Sequence, residues 1–372
     1  MEKYKLQITL SSSISTPLQS DTIWGHICWA IRYLKDESIL KDFIRSYSKN
    51  EPPFIISNAF PEGYLPFPVL PPLDKKAIKN LIKKYWGENK LVCGNSGLKR
   101  LFQSRYLSKA VFKDLNDDIL SKEKMADHFL ESPKYCPRIA DYLPEPCNKK
   151  YADTGRINCG MLTLKPGECP YEFENEFSKN REEREVIQHV MINRLSGTAL
   201  DKALYTSEDT FPGYNTMDAY CMVDGAFTKD DLKQCLDYIN VSGFGKDKST
   251  GKGAVHCTIT EGDLPAPAND IDSFMTLSSY VPMQNEHTQG NYKVFTKYGK
   301  LGGHYANSPV IPGKPPLPYK YPLIMFEAGS VFRTDNPREY YGRIIEKIHP
   351  ADNPKIAHYG CAYPFFIRTG WE

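Results

Sequence analysis

Four glycines within the eleven residues Gly243-Phe-Gly245-Lys246-Asp-Lys248-Ser249-Thr-Gly251-Lys252-Gly253 are the sharpest chemical signal in the sequence. Glycine at that density implies positive φ angles or very close backbone approach. The lysines and hydroxyls between the glycines add cations and donors. Backbone N–H groups beside ammonium groups make an anion-binding loop suited to phosphates; the same composition also serves a flexible connection between two elements. The segment is not a Walker loop, because no Gly-Lys-Ser/Thr follows the required spacer and it leaves a helix instead of opening one. No dinucleotide fingerprint, His-Glu-x-x-His pair or Gly-x-Ser-x-Gly elbow occurs, so those chemistries lack a motif.

The ten cysteines form no Cys-x-x-Cys pair, which suits reduced thiols in a cytoplasmic protein. Cys136, Cys147, Cys159 and Cys169 share one loop-like stretch, where thiolates from separated loops also meet around zinc, an alternative the spacing leaves open. A different chemistry runs from Lys75 to Lys113, where eleven Lys/Arg face the single acidic Glu88 although the whole chain is only +2. Lys75, Lys79 and Lys83 recur at i, i+4 along one face of a helix. Such a run is either a solvated face or, with Tyr85, Trp86, Phe102, Tyr106 and Phe112 interleaved, a nucleic-acid surface on which bases stack.

The elements that must position these residues follow from periodicity. Tyr4, Leu6, Ile8 and Leu10 alternate with polar residues and predict a half-buried first strand. After SSSISTPLQS, Ser20 and Asp21 supply helix-capping chemistry, and Ile23, Ile27, Ile31 and Leu34 predict a helix. His26, Trp29 and Tyr33 fall on its far side, so this helix buries two faces or presents one to a partner. The proline-rich stretch 51–73 excludes a helix or a central strand. Residues 131–190 lose periodicity and read as an irregular excursion. Strands near 203–211 and 218–223, a helix ending at Gly243, and strands near 274–281, 291–298 and 321–333 complete the chain with a terminal AHYGCAYPFFI strand. At 372 residues and 41% hydrophobic content, one large or two ordinary globular domains are expected. The N-terminus lacks an apolar core segment and no long apolar run occurs, so a soluble cytoplasmic protein is expected.

The order of segments carries more than any one of them: PLQSDTIWGHICWAIRYL, AFPEGYLPFPVLPP, NRLSGTAL, the glycine loop, FEAGSVF and HYGCAYPF. Together they resemble the RAMP superfamily, and within it the Cas5-like subunit that caps the 5′ handle of the guide RNA in type III-A CRISPR effectors, the Csm complex. The resemblance spans nearly the whole chain and is weakest at 84–190. It implies an α+β fold of two ferredoxin-like, RNA-recognition-motif-like domains with a thumb-like insertion. The first, residues 1–200, would hold the basic module and the thumb (131–190); the second, 201–372, would hold the glycine loop.

The implied role is a non-catalytic crRNA binder with no cofactor, metal or membrane contact, joining a large polymerase/cyclase-like subunit to the first guide-binding backbone subunit. By the same resemblance Gly243, Gly245, Lys246, Lys248, Ser249, Gly251, Lys252 and Gly253 contact the handle, as do Asn193, Arg194, Ser20 and Trp24. The loop of Ser15 to Ser20 and the helix start at Asp21 to Trp24 match the opening motif, where helix N–H groups receive phosphate or are simply capped. Arg156, Arg181 and Arg184 are weaker thumb candidates. Trp29 and Tyr33 are the expected protein interface. Because some RAMP relatives process guide precursors with a first-helix histidine, His26 is the alternative catalytic residue of a metal-independent endoribonuclease.

Overall fold

The computed structural model describes residues 1–116, 119–131, 161–162, 183–211, 215–261, 264–306, 317–351 and 356–370. Strand β1 (Glu2–Leu10) buries Leu6, Ile8 and Leu10 as its alternation predicts. Helix α1 (Ser20–Leu34) turns Ile23, Ile27 and Ile31 into the same core, each such side chain contributing about 1.5–3 kcal/mol by leaving water. Its N-cap is Gln19 with no side-chain cap. Helix α2 (Glu37–Ser48) and the short strands β2 (Phe54–Ile56), β3 (Phe60–Pro61) and β4 (Tyr64–Pro66) follow, so the proline-rich stretch supplies brief edge pairing rather than a bare loop.

The basic module folds as α3 (Lys75–Tyr85), α4 (Leu91–Leu101), β5 (Tyr106–Ser108) and α5 (Lys109–Asn116), with α6 (Lys122–Glu131) beside them. Within the expected thumb (131–190) the described parts include β6 (Met161–Leu162) and most of β7 (Glu183–Ile192), and β8 (Ala199–Phe211) follows beyond it. The last two form a long antiparallel hairpin with a register shift between Val190 and Ile192. Cys136, Cys147, Cys159, Cys169, Arg156 and Arg181 lie outside the described residues.

Strand β9 (Thr216–Val223), helix α7 (Lys229–Ser242) and strand β10 (Val255–Glu261) then return to the beginning of the fold. Both strands pair antiparallel with β1, giving the order β10-β1-β9-β2. This is a β-α-β-β-α-β unit whose third strand arrives after a long insertion. A Thr228/Asp231 capping box starts α7, and Gly243, at φ +77°, ends it. The expected division at residue 200 therefore fails: the glycine loop belongs to the sheet of β1, because edge pairing to β1 satisfies the backbone of β9 and β10.

The C-terminal layer contains β11 (Ser273–Thr276), β12 (Gly290–Asn291), β13 (Val294–Lys297), β14 (Leu323–Phe326), β15 (Val331–Arg333), β16 (Tyr341–Gly342), β17 (Cys361–Ala362) and β18 (Pro364–Ile367). Its main sheet runs β12-β15-β11-β18. No α-helix follows Ser242 among the described residues, whereas the first unit carries α1 and α7. The C-terminal layer covers the other face of β9, which is buried on both sides. Asn58 ties the layers together, its Oδ1 accepting from the Ser20 amide at 2.8 Å and the Ser279 amide at 3.1 Å. Lys297 completes the tie with an ion pair to Asp21 at 2.9 Å. No helix among the described residues is long and apolar enough to cross a membrane.

Candidate nucleic-acid interface

The glycine loop is a shaped structure, clamped against the polar segment that joins β1 to α1. Gly253 donates to the Ser13 carbonyl at 2.8 Å and accepts from the Phe244 amide at 2.8 Å. The Lys246 amide donates to Thr16 Oγ1 at 3.1 Å, and the Gly245 amide donates to His26 Nε2 at 2.9 Å. Gly243, Gly245, Asp247, Gly251 and Gly253 all have positive φ. At Gly253 the reason for glycine is direct, since a Cβ there would lie 1.9 Å from the Phe244 carbonyl oxygen. The loop is thus neither a flexible connection nor a uniformly open anion nest.

This clamping sorts the candidate residues. Lys246, Lys248, Ser249 and Gly251 stay exposed along one arc of the loop. Lys252 turns inward and forms an ion pair with Asp209 of β8, whose other oxygen accepts from Ser15 Oγ at 2.7 Å. Burial pushes the Asp209 carboxyl up, but the Lys252 and Ser15 hydrogen bonds outweigh it and hold its pKa below the usual value. Lys252 is therefore committed to pinning the hairpin base to the loop. Gly253 is buried as well.

His26 has a role the sequence did not indicate. Its ring packs on Phe244 with centroids 4.4 Å apart, while Nε2 accepts from Gly245. Burial, then the neighbouring Lys248 ammonium, push its pKa down to about 4. At neutral pH the imidazole is uncharged, protonated on Nδ1, with its acceptor nitrogen occupied. It is a loop anchor, not a poised acid or base.

Ser20 and Trp24 are also structural. Ser20 is fully buried against Asn58 and Ser279, and Trp24 Nε1 donates to Tyr47 Oη at 2.9 Å between the rings of Phe43 and Tyr359. Neither has surface to offer an RNA. At the α1 N-terminus the Ser20 amide donates to Asn58, and Asp21 is paired with Lys297. Asn193 and Arg194 lie at the tip of the β7–β8 hairpin, where Asn193 Oδ1 accepts from the Leu195 amide at 2.9 Å. At 3.3 Å per residue the tip stands roughly 30 Å from Asp209, so these two do not join the glycine loop in one site. Trp29 is covered by Gly302 and Gly303, at which a Cβ would approach its ring to 2.6 and 2.5 Å. Tyr33, stacked on Trp29 and next to Tyr238, remains 52% exposed.

What the structure does assemble beside the loop is a cleft of about 940 Å³. Its walls come from the Ile14–Gln19 segment, the proline-braced residues Pro66–Leu70, the 102–106 turn, the hairpin base and the C-terminal layer. Lys246, Arg105, Lys122, Arg184 and Lys293 bring five cations to it, against Glu208 and Glu327. Arg184 pairs with Glu208 at 3.4 Å; Lys122 lies over the Phe102 ring at 5.5 Å, and burial followed by Lys293 pulls its pKa down. Phe67, Phe102 and Phe295 add aromatic surface. A polar, cationic and aromatic cleft of this size suits unstacked nucleotides, with bases on rings and phosphates on ammonium groups. Lys293 and Phe295 had no sequence signal, because only the folded chain brings them to the cleft. Among the described residues no group of His, Cys, Asp and Glu is placed to hold a metal ion.

The fold is shared with known proteins. The family model for the RAMP superfamily matches residues 13–256, which span the clamp segment, α1, the hairpin and the glycine loop. A chain in the crystal structure of the Csm3–Csm4 subcomplex in the type III-A CRISPR-Cas interference complex superposes with a TM-score of 0.54 at 15% identity, over 98% of each chain. A chain in the crystal structure of the Csm1–Csm4 cassette in complex with pppApA gives a TM-score of 0.52 at 14% identity, over 100% of each. No curated protein sequence matches this one.

Proposed function

The chain belongs to the RAMP superfamily, and on that premise we propose that it is the non-catalytic, Cas5-like subunit of a type III CRISPR effector that receives the 5′ handle of the crRNA. The component shared by the two structurally similar assemblies is Csm4. The observation that carries the reading is the joining of the glycine loop to the cationic cleft through Lys246, beside aromatic side chains that include Phe67, Phe102 and Phe295. Handle phosphates meet Lys246, Lys248 and the exposed arc of the loop, and handle bases enter the cleft. In this reading the N-terminal unit is the RNA-recognition-motif-like half of the protein. The large polymerase/cyclase-like subunit and the first guide-binding backbone subunit are its partners, with Tyr33 on an outer aromatic face.

The alternative, precursor cleavage by His26, has little support. A neutral imidazole whose acceptor nitrogen is bonded to Gly245 is not free to take a proton from a ribose hydroxyl. The deciding experiment is purification of the tagged chain from its host, with identification of the bound proteins and sequencing of the bound RNA ends. Small RNAs sharing one repeat-derived 5′ tag, together with a large subunit and backbone subunits, are expected. A lone protein without RNA, or one that releases cyclic-phosphate products in EDTA, would overturn the proposal.

A further inference from the structure

Helix α3 exposes Lys75, Lys76 and Lys79, and none of them meets a carboxylate among the described residues. On an α-helix these positions fall within about 100° of arc, with Lys83 on the same arc one turn further. By contrast, Lys35 pairs with Asp231, Lys41 with Glu37 at 3.2 Å and Lys233 with Asp237 at 2.8 Å. Lys83 itself reaches Glu88 at 2.5 Å, so the unpaired charge concentrates toward the N-terminal end of α3.

That end is the wrong one for stability. A helix N-terminus carries partial positive charge and favours Asp or Glu, yet the first turn of α3 holds Lys75 and Lys76 and no acidic residue. Asp74 caps the helix, accepting from the Ala77 amide at 2.6 Å. Lysines at i, i+4 repel one another besides. Beyond the Asp74 cap, the first turn thus carries positive charge with no carboxylate partner, on a chain whose remainder is net acidic.

We infer that the Lys75–Lys76–Lys79 face of α3 is a second RNA-binding surface, a sequence-independent phosphate track for the strand beyond the cleft. Charge complementarity selects a polyanion, and continuity selects RNA, because the module that includes α3 also sends Phe102 and Arg105 to the cleft. The aromatic residues of the module fix the mode of binding. Trp86 and Phe112 are buried, and Tyr85 donates to Asp127 at 2.6 Å. These three are taken up in the packing of the module, and Phe102 and Tyr106 serve the cleft, so α3 reads phosphates and not bases.

The inference stands whether or not the cleft takes a repeat-derived handle, and the test separates the two. The whole chain is titrated with an RNA of about 8 nucleotides and with one of about 30 that begins with the same residues, from about 50 to 200 mM salt. With Lys75→Gln, Lys76→Gln and Lys79→Gln combined, affinity for the longer RNA falls about tenfold or more. Its salt slope flattens by about 2, near 0.7 per lost contact for a single strand. Affinity for the short RNA stays the same, and changing the sequence of the extension alters nothing. Unchanged binding of the longer RNA would overturn the inference, as would equal loss for both lengths or a wild type that binds both equally. Loss of a copurifying acidic protein with RNA affinity intact would overturn it in favour of a protein partner. Failure of the wild type to bind the short RNA would instead count against the cleft. All three side chains are exposed, and unchanged thermal melting confirms the fold of the variant.

Discussion

The two lysine-rich segments of this chain are built in opposite ways. In the glycine loop the backbone is fixed from outside by Ser13, Thr16 and His26, and one lysine of three is spent on an ion pair with Asp209. In α3 the backbone is satisfied by the helix itself, and the lysines of its first turn are left unpaired. A clamped loop holds a few donors at defined positions, which suits recognition of one RNA segment. A helix face of ammonium groups holds charge without geometry, which suits any strand. The same residue type thus serves positioning in one place and field strength in the other.

The comparison is broken most severely by removing what shapes the loop. Gly253→Ala places a Cβ 1.9 Å from the Phe244 carbonyl, and relief requires giving up both hydrogen bonds that close the loop. A loss of about 4 kcal/mol in denaturant unfolding is expected. Gly251→Ala meets nothing within 4 Å and should cost only about 1 kcal/mol of left-handed strain. Equal costs at the two positions would mean that the loop is not clamped. Next comes Asp209→Ala, which strands Lys252 and the Ser15 hydroxyl in a buried setting; about 3 kcal/mol is expected, with the double variant Asp209→Ala, Lys252→Met recovering part of it.

Acid should loosen the loop and leave α3 untouched. The pKa of His26 in the folded protein is about 4, below its ordinary value near 6.5, so the unfolded chain takes up a proton that the folded one refuses. Stability therefore falls as pH drops from about 6.5 toward 4, by about 1.4 kcal/mol per unit and about 3 kcal/mol in all. His358 is driven down to about 3, by burial and then by Lys320, and adds to the slope in the same range. Comparing wild type with His26→Gln isolates the loop's share: the variant should be less stable at pH 7 and less sensitive to acid. Parallel pH profiles would remove His26 from its anchoring role.

How much of this was legible in the sequence depends on the distance over which the evidence acts. The alternation in β1, the stripe of α1, the stop at Gly243 and the glycine loop itself are local, and local periodicity shows them. That β9 and β10 flank β1 is not local, since more than 200 residues separate the pairing partners Leu6 and Ala219. The sequence reading accordingly cut one sheet into two domains. Ser20 carried capping chemistry but is consumed by Asn58, and Trp24 by Tyr47, contacts made across the fold. The family resemblance makes His26 a candidate acid or base, whereas its actual partner is an amide 219 residues away. The cleft has no sequence signature, being assembled from segments spread between Ile14 and Ala328.

The smallest expected effect has the most informative sign. Lys79 stands at i, i+4 from both Lys75 and Lys83, so Lys79→Gln removes two like-charge repulsions worth about 0.2–0.5 kcal/mol each and leaves helix propensity nearly unchanged. The variant should be more stable by about 0.5 kcal/mol at low salt, with the gain fading as salt screens the charges. At Lys246, half-exposed and 3.8 Å from Asp247, neutralisation relieves no such repulsion, and Lys246→Gln should bring no gain while weakening binding of the short RNA. A stabilising Lys79→Gln that loses affinity for long RNA would show α3 holding its charge against its own stability. A destabilising one, measured by the same low-salt thermal melts, would mean that Lys79 packs or pairs for structural reasons, and the contrast between the two segments would collapse.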